Sequence, residues 1–283
     1  MSKSKENWVL ASGDSISLKD IDPQDTGKYK NREDTQAERE QLSAIFEDLQ
    51  PKLFASKKKS ILFVFQGMDC SGKDGVINKV FSICNPAGID VYSFKAPTPD
   101  ELNHDYLWRA HQHVPGYGYL AAFNRSYYED VLITRVHGQV SDKKAKQRFK
   151  QINQFEKMLE QNNVRVVKIF LHISKQFQLE KLIDRIEKPH KNWKFDESDL
   201  HERQYWEKYQ ECYEDVFKHC ATEKNPWHIV PADHRWYRDL AVLQIVVNTL
   251  EELDLSNPSP IPALKEHLSD MYAELEKIKK NNE

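Results

Sequence analysis

The sequence predicts an α/β fold: a parallel five-stranded sheet with helices on both faces and a helical lid late in the chain. Three observations lead there. Short apolar runs without polar alternation, such as Ile61-Leu62-Phe63-Val64-Phe65, match strands buried on both faces. These runs alternate with segments of helical period, as in sheets built from strand–helix–strand units. Glycine is scarce and uneven: nine in 283 residues, with Gly67, Gly72 and Gly75 inside one nine-residue stretch and none after Gly138. A C-terminal half without glycine is poorly equipped for the tight turns of an all-β chain. The same scarcity excludes collagen-like, linker-like and propeller-like classes.

The elements follow in order. Residues 1–32 are polar and aperiodic and read as an extended arm. From Asp34 the pattern turns helical, with Leu42, Ile45, Phe46, Leu49, Leu53 and Phe54 at three- and four-residue steps and Asp34 or Thr35 as the cap. The strand 61–65 leads into the glycine cluster, and Val76, Val80, Phe81 and Cys84 mark a helix ending near Asn85-Pro86. A second strand is expected over 89–94, a helix over 100–113, a third strand over Tyr119–Phe123 and a helix over 127–136. After a helix at 143–161, Val164–Ile173 is the clearest strand; a helical region over 175–220 breaks near Pro189. Trp227–Val230 forms the fifth strand, 234–253 a closing helix, and the tail from Ala263 is amphipathic. The expected organisation is an arm (1–32), one α/β domain (33–255) with a lid at about 181–215, and a linker with a helix (256–283).

Composition narrows the function. Lys and Arg number 41 against 44 Asp and Glu, a net charge of −3, and aromatics reach 11%. This is neither a disordered chain nor a general binder of nucleic acid or anionic membrane, so any anion site must be a local patch. Cys70, Cys84, Cys212 and Cys220 lack metal-ligand spacing and a disulfide-dense pattern, which suits a reducing, cytoplasmic setting. The start, MSKSKENWVLASGDS, has no apolar core of a signal peptide, and no apolar run is long enough to span a membrane.

Gly67-Met68-Asp69-Cys70-Ser71-Gly72-Lys73 fits G-x-x-x-x-G-K between an expected strand and an expected helix. Glycines let backbone N–H groups converge on phosphate, and the helix adds its positive end. Lys73 would reach the terminal phosphates, giving a P-loop kinase-like site with Gly67, Ser71, Gly72, Asp74 and Gly75 around the anion. The residue after the lysine is Asp74 instead of a Mg²⁺-binding hydroxyl, and a second acid, Asp69, lies inside the loop. An acid beside phosphate is repulsive unless a cation bridges it, so Asp69 is expected to hold Mg²⁺ or, alternatively, to tie down the loop.

A second cluster, Asn124-Arg125-Ser126-Tyr127-Tyr128-Glu129-Asp130, follows the third strand. Asn124 stands where P-loop enzymes place a metal-binding acid. Arg125 is a candidate phosphate clamp. Glu129 is a candidate contact to metal or to the acceptor nucleotide, and Asp130 reads as an ordinary first-turn acid. Lys95 directly follows the second strand, at the sheet edge where ligands bind in open α/β folds; Arg109 on the next helix is evenly balanced between site and scaffold. From Lys181 to Lys194 five Lys/Arg face two acids. Lys181, Arg185 and Lys188 share a helical face, and Lys191 and Lys194 follow in a loop, as in a lid that closes over phosphates. Trp193 and Phe195 would pack that lid or stack on a base. His111 and His113 are spaced for different helix faces, not for a metal.

These stretches together resemble the polyphosphate kinase 2 family: LQPKLFASKKKSILFVFQGMDCSGKDGVI, SFKAPTPDEL, LWRAHQHVPGYGYLAAFNRSYYEDVLITRVHG, DRIEKPHKNWKF and NPWHIVPADHRWYRDLAV. The resemblance runs from about Asp34 to Leu250. It implies a P-loop kinase fold with a helical lid and reversible Mg²⁺-dependent phosphoryl transfer (Mn²⁺ substituting) between inorganic polyphosphate and nucleotides; separately, the aromatic-rich helical additions suit a homo-oligomer, dimer or tetramer. It assigns Asp69, Gly72 and Lys73 to the phosphate loop, Lys95 and Arg125 to phosphate binding, and Arg185, Lys191, Lys194, Asp199 and Arg203 to the lid. Asn124, Glu129 and VLITRVHG resemble the subgroup that accepts nucleoside mono- and diphosphates. The expected reaction is direct in-line transfer to AMP and ADP, with guanine nucleotides open. An ATP-dependent nucleoside monophosphate kinase and a silent polyphosphate- or nucleotide-binding regulator are the competing assignments.

Overall fold

A computed structural model describes residues 8–11, 14–259 and 261–281. Its sheet has six strands: β1 Trp8–Leu10, β2 Ser60–Gln66, β3 Ile89–Ser93, β4 Leu120–Asn124, β5 Val164–His172 and β6 Trp227–Pro231. They are ordered β1-β6-β5-β2-β4-β3. Strands β2 to β6 are parallel, as expected. The sixth strand corrects the expected five: Trp8-Val9-Leu10 pairs antiparallel with Trp227–Ile229 on the sheet edge. Three residues are too few to display a period-two pattern, so they pass for coil in the sequence.

The expected arm is in fact bound to the domain where it is described. Leu18 and Ile21 are buried, the Leu18 N–H donates to Glu214 (2.7 Å), and the Ile21 carbonyl lies 3.1 Å from His172 Nε2. Residues 1–7 and 12–13 of the arm lie outside the described residues.

Strand β2 is central because all seven of its residues are buried and both neighbours are parallel. Helix α1 (Gln36–Ser56) and helix α2 (Lys73–Phe81) pack on α7 (Arg235–Glu251), and α3 (Asp142–Gln161) packs on β5 and α6 (Trp206–Cys220). Thr35 precedes α1, but its hydroxyl turns back to donate to the Arg32 carbonyl (2.6 Å) and caps nothing. The expected helix 100–113 is two single turns, Pro99–Leu102 and Trp108–His111. Thr98 and Glu101 form a capping box on the first, while Asp105 accepts from the Leu107 N–H (3.0 Å), drawing the backbone out of one continuous helix. The stretch 127–136 likewise divides into a 3-10 turn, Tyr127–Val131, and one α-turn, Ile133–Val136. In the lid region α4 (Lys175–Glu187) stops before Pro189, a 3-10 turn spans Pro189–Lys194, and α5 (Glu197–Glu202) follows before α6. The last helix, α8, is Leu268–Asn281.

One charged network crosses the core. Lys168 on β5, fully buried, donates to Glu156 Oε2 (2.8 Å) and to the Cys220 carbonyl (2.5 Å). The other Glu156 oxygen accepts from the hydroxyls of Tyr127 (2.9 Å) and Tyr128 (2.7 Å).

Two histidines make stability depend on pH. Burial pushes His172 and His228 down to about 4, and the positive charges of Arg165 and Lys168 add to the effect at His228. Their Nδ1 atoms have no hydrogen-bond partner among the described residues. The unfolded chain takes up these protons near pH 6.5 and the folded one only near 4, so stability is lost as pH falls through that window. At most this is on the order of 3 kcal/mol per histidine. Asp130, pushed up to about 6 by burial, works in the opposite sense, and Glu160, Asp199 and Asp233, also raised by burial, add to it toward the acid end, but the two histidines act across the whole window. The thermal midpoint should fall between pH 7 and 5, and fall less for His172→Gln, which keeps a donor for Ile21. A midpoint that rises or stays level would contradict the burial of neutral histidines.

Candidate active site

The chain leaves β2 at Gln66, turns through 67–72 and enters α2. The turn needs two backbone conformations that side chains resist: Gly67 has φ +150° and Gly72 φ +89°. A Cβ on Gly72 would lie 2.0 Å from Arg238 Nη1, and one on Gly67 would lie 2.8 Å from the Leu171 carbonyl. Conformation therefore requires glycine at both positions, and at Gly67 the fixed Leu171 carbonyl denies the space as well. Cys70 also has positive φ, +67°, and its partly buried thiol is pushed up to about 11 by burial, which keeps it protonated and a filler. Lys73, the first residue of α2, is buried and folds back to donate to the carbonyls of Gly67 (2.7 Å) and Met68 (3.2 Å). Burial lowers its pKa, with the charge of Arg125 adding to the effect.

At the end of β4, Asn124 donates through Nδ2 to Asp74 Oδ1 (2.7 Å), tying the strand end to the first turn of α2. Arg125 adopts φ +63°, a conformation unusual for a bulky residue, while its N–H still donates to the Phe65 carbonyl (3.0 Å). Its Nη2 donates to Asp69 Oδ1 at 2.5 Å. The Glu129 carboxylate, then Asp69, holds this guanidinium firmly in its charged form against the cost of burial. With its amide oriented to suit its neighbours, Gln66 donates to Glu129 Oε1 (3.0 Å) and accepts from the Ser126 N–H (3.1 Å).

These groups share one cavity of about 900 Å³. Gly67, Asp69, Gly72, Lys73, Asp74 and Gly75 form its floor. Lys95, Asn124, Arg125 and Glu129 line a second side, and Lys181, Arg185, Lys191, Lys194 and Asp199 line the lid side. Three expected site residues do not line it. Ser71 is buried with its hydroxyl unpartnered among the described residues, Lys188 follows the last residue of α4 and pairs with Asp184, and Arg203 donates to the Lys175 carbonyl (2.7 Å) and Gln178 Oε1 (2.9 Å). The four-and-three spacing that set Lys188 on the face of Lys181 and Arg185 holds only while the helix continues, and it ends at Glu187. Arg109 is scaffold: buried, it donates to the Lys95 carbonyl (2.9 Å) and lies over the Phe94 ring. His113 stacks on Tyr92 and His111 packs edge-on to Phe155. Trp193 is 79% exposed and does not pack the lid.

Four contributors were not singled out from the sequence. Arg235 and Arg238 on α7 line the cavity; Arg238 is buried against Gly72 and paired with Asp239 (2.6 Å). Their three-residue spacing places both on one helix face, a signal visible in HRWYRD once α7 is known to end at the loop. Gln178, buried on α4, donates to the Asp69 carbonyl (3.0 Å) and so links lid to loop. Tyr213 from α6 closes the rear wall.

Among the described residues, no group of three or more His, Cys, Asp or Glu side chains is placed to hold a metal by itself. Mg²⁺ asks less, since it keeps several waters and draws on phosphate oxygens beside one or two carboxylates. Asp69 and Glu129 provide such hard oxygen donors on the cavity wall. The arrangement suits phosphoryl transfer: a backbone cradle, a buried lysine, an arginine held charged, and a cationic wall facing them.

The model of the family described as polyphosphate kinase 2 matches residues 29–258. An AMP/ADP-polyphosphate phosphotransferase of Meiothermus ruber is 44% identical over 246 residues, covering 86% of this chain and 91% of that protein. An ADP-polyphosphate phosphotransferase of Rhodopseudomonas palustris is 41% identical over 267 residues, covering 90% of this chain and 91% of that protein. The crystal structure of polyphosphate kinase 2 from Arthrobacter aurescens TC1 superposes with a TM-score of 0.88 at 38% identity, covering 92% of this chain and 95% of that one.

Proposed function

The chain belongs to the polyphosphate kinase 2 family, and from that premise we propose that it transfers the terminal phosphoryl group of inorganic polyphosphate to both AMP and ADP. It is a polyphosphate kinase, and its reaction is polyphosphate-dependent nucleotide phosphorylation. The observation that carries this assignment is the single cavity in which the phosphate loop and Arg125 face the lid cations Lys181, Arg185, Lys191 and Lys194. Polyphosphate has charge along its length and no base, so a wall of long cationic side chains suits it better than an aromatic slot.

The chemistry asks for positioning and charge neutralisation. Lys73 and Arg125 stabilise the oxygens of the phosphoryl group in flight, the loop N–H groups orient the neighbouring phosphate, and closure of the lid excludes water. The acceptor phosphate oxygen attacks in line, and polyphosphate shortened by one unit leaves. Magnesium, or manganese in its place, would be held by Asp69 with Glu129 nearby and would neutralise phosphate charge. Gln66, bonded to Glu129, fixes that carboxylate beside Arg125.

Acceptance of both nucleotides is supported by the name of the Meiothermus ruber relative. The Rhodopseudomonas palustris relative is named for ADP alone. Supplying AMP and polyphosphate and separating products over time distinguishes them. ADP should appear first and ATP after it; AMP left intact while ADP is consumed would restrict the enzyme to diphosphates.

A homo-oligomer, dimer or tetramer, is supported by the exposed row Leu268, Met271, Leu275 and Ile278 on α8, spaced three and four apart. Light scattering reads its mass directly, and a monomer would refute it. A cytoplasmic location is supported by four free thiols, with cell fractionation as the check. No helix among the described residues is long and apolar enough to cross a membrane.

A further inference from the structure

Three of the lid cations are already engaged with acids of the lid. Arg185 donates to Asp199 Oδ2 (2.6 Å) and to the Lys194 carbonyl (3.0 Å). Lys188 and Lys191 both donate to Asp184, one to each carboxylate oxygen. The turn after α4 is folded back so that Asn192 Nδ2 donates to the Arg185 and Ile186 carbonyls at 2.8 Å each. This fold-back carries Lys191 to an acid seven residues earlier, in the last turn of α4. Asp184 itself lines the cavity, as Lys191 does. Its two ammonium partners hold its carboxyl well below the ordinary aspartate range.

An acid on the wall of a polyanion groove repels the ligand that the groove is built to take. A mobile counterion displaced by phosphate diffuses away and gains entropy. Asp184 is part of the helix and cannot leave, so its charge stays beside the incoming phosphates after Lys191 has been drawn off.

We propose that Asp184 is a tethered counterion of the lid, one that competes with phosphate oxygens for Lys191, the partner that lines the cavity with it, and thereby limits the affinity for polyphosphate. The proposal deepens the assignment of the lid wall to polyphosphate and rests on it. It gives the sign of the effect: removing this acid tightens binding, whereas a residue that only braces the lid would loosen binding when removed.

The test is the apparent KM for polyphosphate, at low and at moderate salt, for wild type, Asp184→Asn, Asp184→Glu and Lys191→Ala. Asp184→Asn should lower the KM by about two- to fivefold, the range of a partly exposed ion pair. The gain should shrink with added salt, and the KM for nucleotide should stay in place. Asp184→Glu, which keeps the charge, should return the KM toward wild type, and thermal midpoints check that each variant is folded. Lys191→Ala should raise the KM. If Lys191→Ala leaves it unchanged, the lid wall does not take polyphosphate. If Lys191→Ala raises it while Asp184→Asn raises it too or leaves it unchanged, the wall assignment stands and the tethered-counterion role is overturned.

Discussion

Replacing Lys73 with methionine is expected to lower kcat by at least about 10³ and to leave the fold intact. Losing one preorganised donor to a developing charge typically costs about 10² to 10³ in rate. In the proposed mechanism Lys73 is that donor at the start of α2, with the added burden of balancing a phosphate chain. Its stability effect should have the opposite character. The ammonium is buried, and among the described residues it donates to the carbonyls of Gly67 and Met68 alone. Burial and the nearby Arg125 charge both disfavour its charged form. Methionine keeps the stem volume and removes a charge that is costly to bury. The thermal midpoint should therefore hold or rise as turnover collapses. A variant that kept more than about a tenth of wild-type kcat would show that Lys73 does not stabilise the transferring group.

Glu156→Ala should cost about 3–5 kcal/mol, the size found when one partner of a buried ion pair is removed. Lys168 would remain charged in the core with the Cys220 carbonyl as its main acceptor, and the hydroxyls of Tyr127 and Tyr128 would lose the oxygen they share. These tyrosines follow Arg125 and Ser126 directly, so the loss reaches the loop that holds Arg125 at φ +63°. Removing both charges together, Glu156→Leu with Lys168→Met, should recover much of the stability, because the uncompensated charge is gone. Urea unfolding of the three proteins measures this. A single variant within about 1 kcal/mol of wild type would mean that Lys168 finds another partner or gives up its proton.

The framework of the site was legible because its determinants are local. The apolar run 61–65, the glycines at 67 and 72 and the lysine at 73 adjoin in sequence, and each demands its neighbours' conformation: a buried strand, a backbone cradle, a helix start. What the sequence hid depends on contacts across long separations. Lys168 sits in an apolar strand and offers no hint that Glu156 will neutralise it from α3. Arg238 reaches Gly72 only because α7 packs on α2. Asp69 reads as a metal ligand from its place in the loop, yet in the folded chain it also meets Arg125, fifty-six residues on. The lid shows the limit of helical periodicity: Lys181 and Arg185 reach the cavity as their spacing indicates, but Lys188 falls past the end of α4. The strand Trp8–Leu10 was invisible because its pairing partner, β6, supplies what three residues cannot.

The most direct measurement is nucleotide formation with polyphosphate as the sole phosphoryl donor: purified protein, Mg²⁺, polyphosphate and either AMP or ADP, with no ATP added. A cavity built from a backbone cradle and a clamp of long cations should make ATP from ADP, and ADP then ATP from AMP, with Lys73→Met inactive in the same assay. Nucleotide left unchanged under these conditions, but phosphorylated once ATP is supplied, would make the protein an ATP-dependent nucleotide kinase and contradict the assignment of the cationic wall to polyphosphate. Binding of polyphosphate without turnover under either condition would make it a regulator instead.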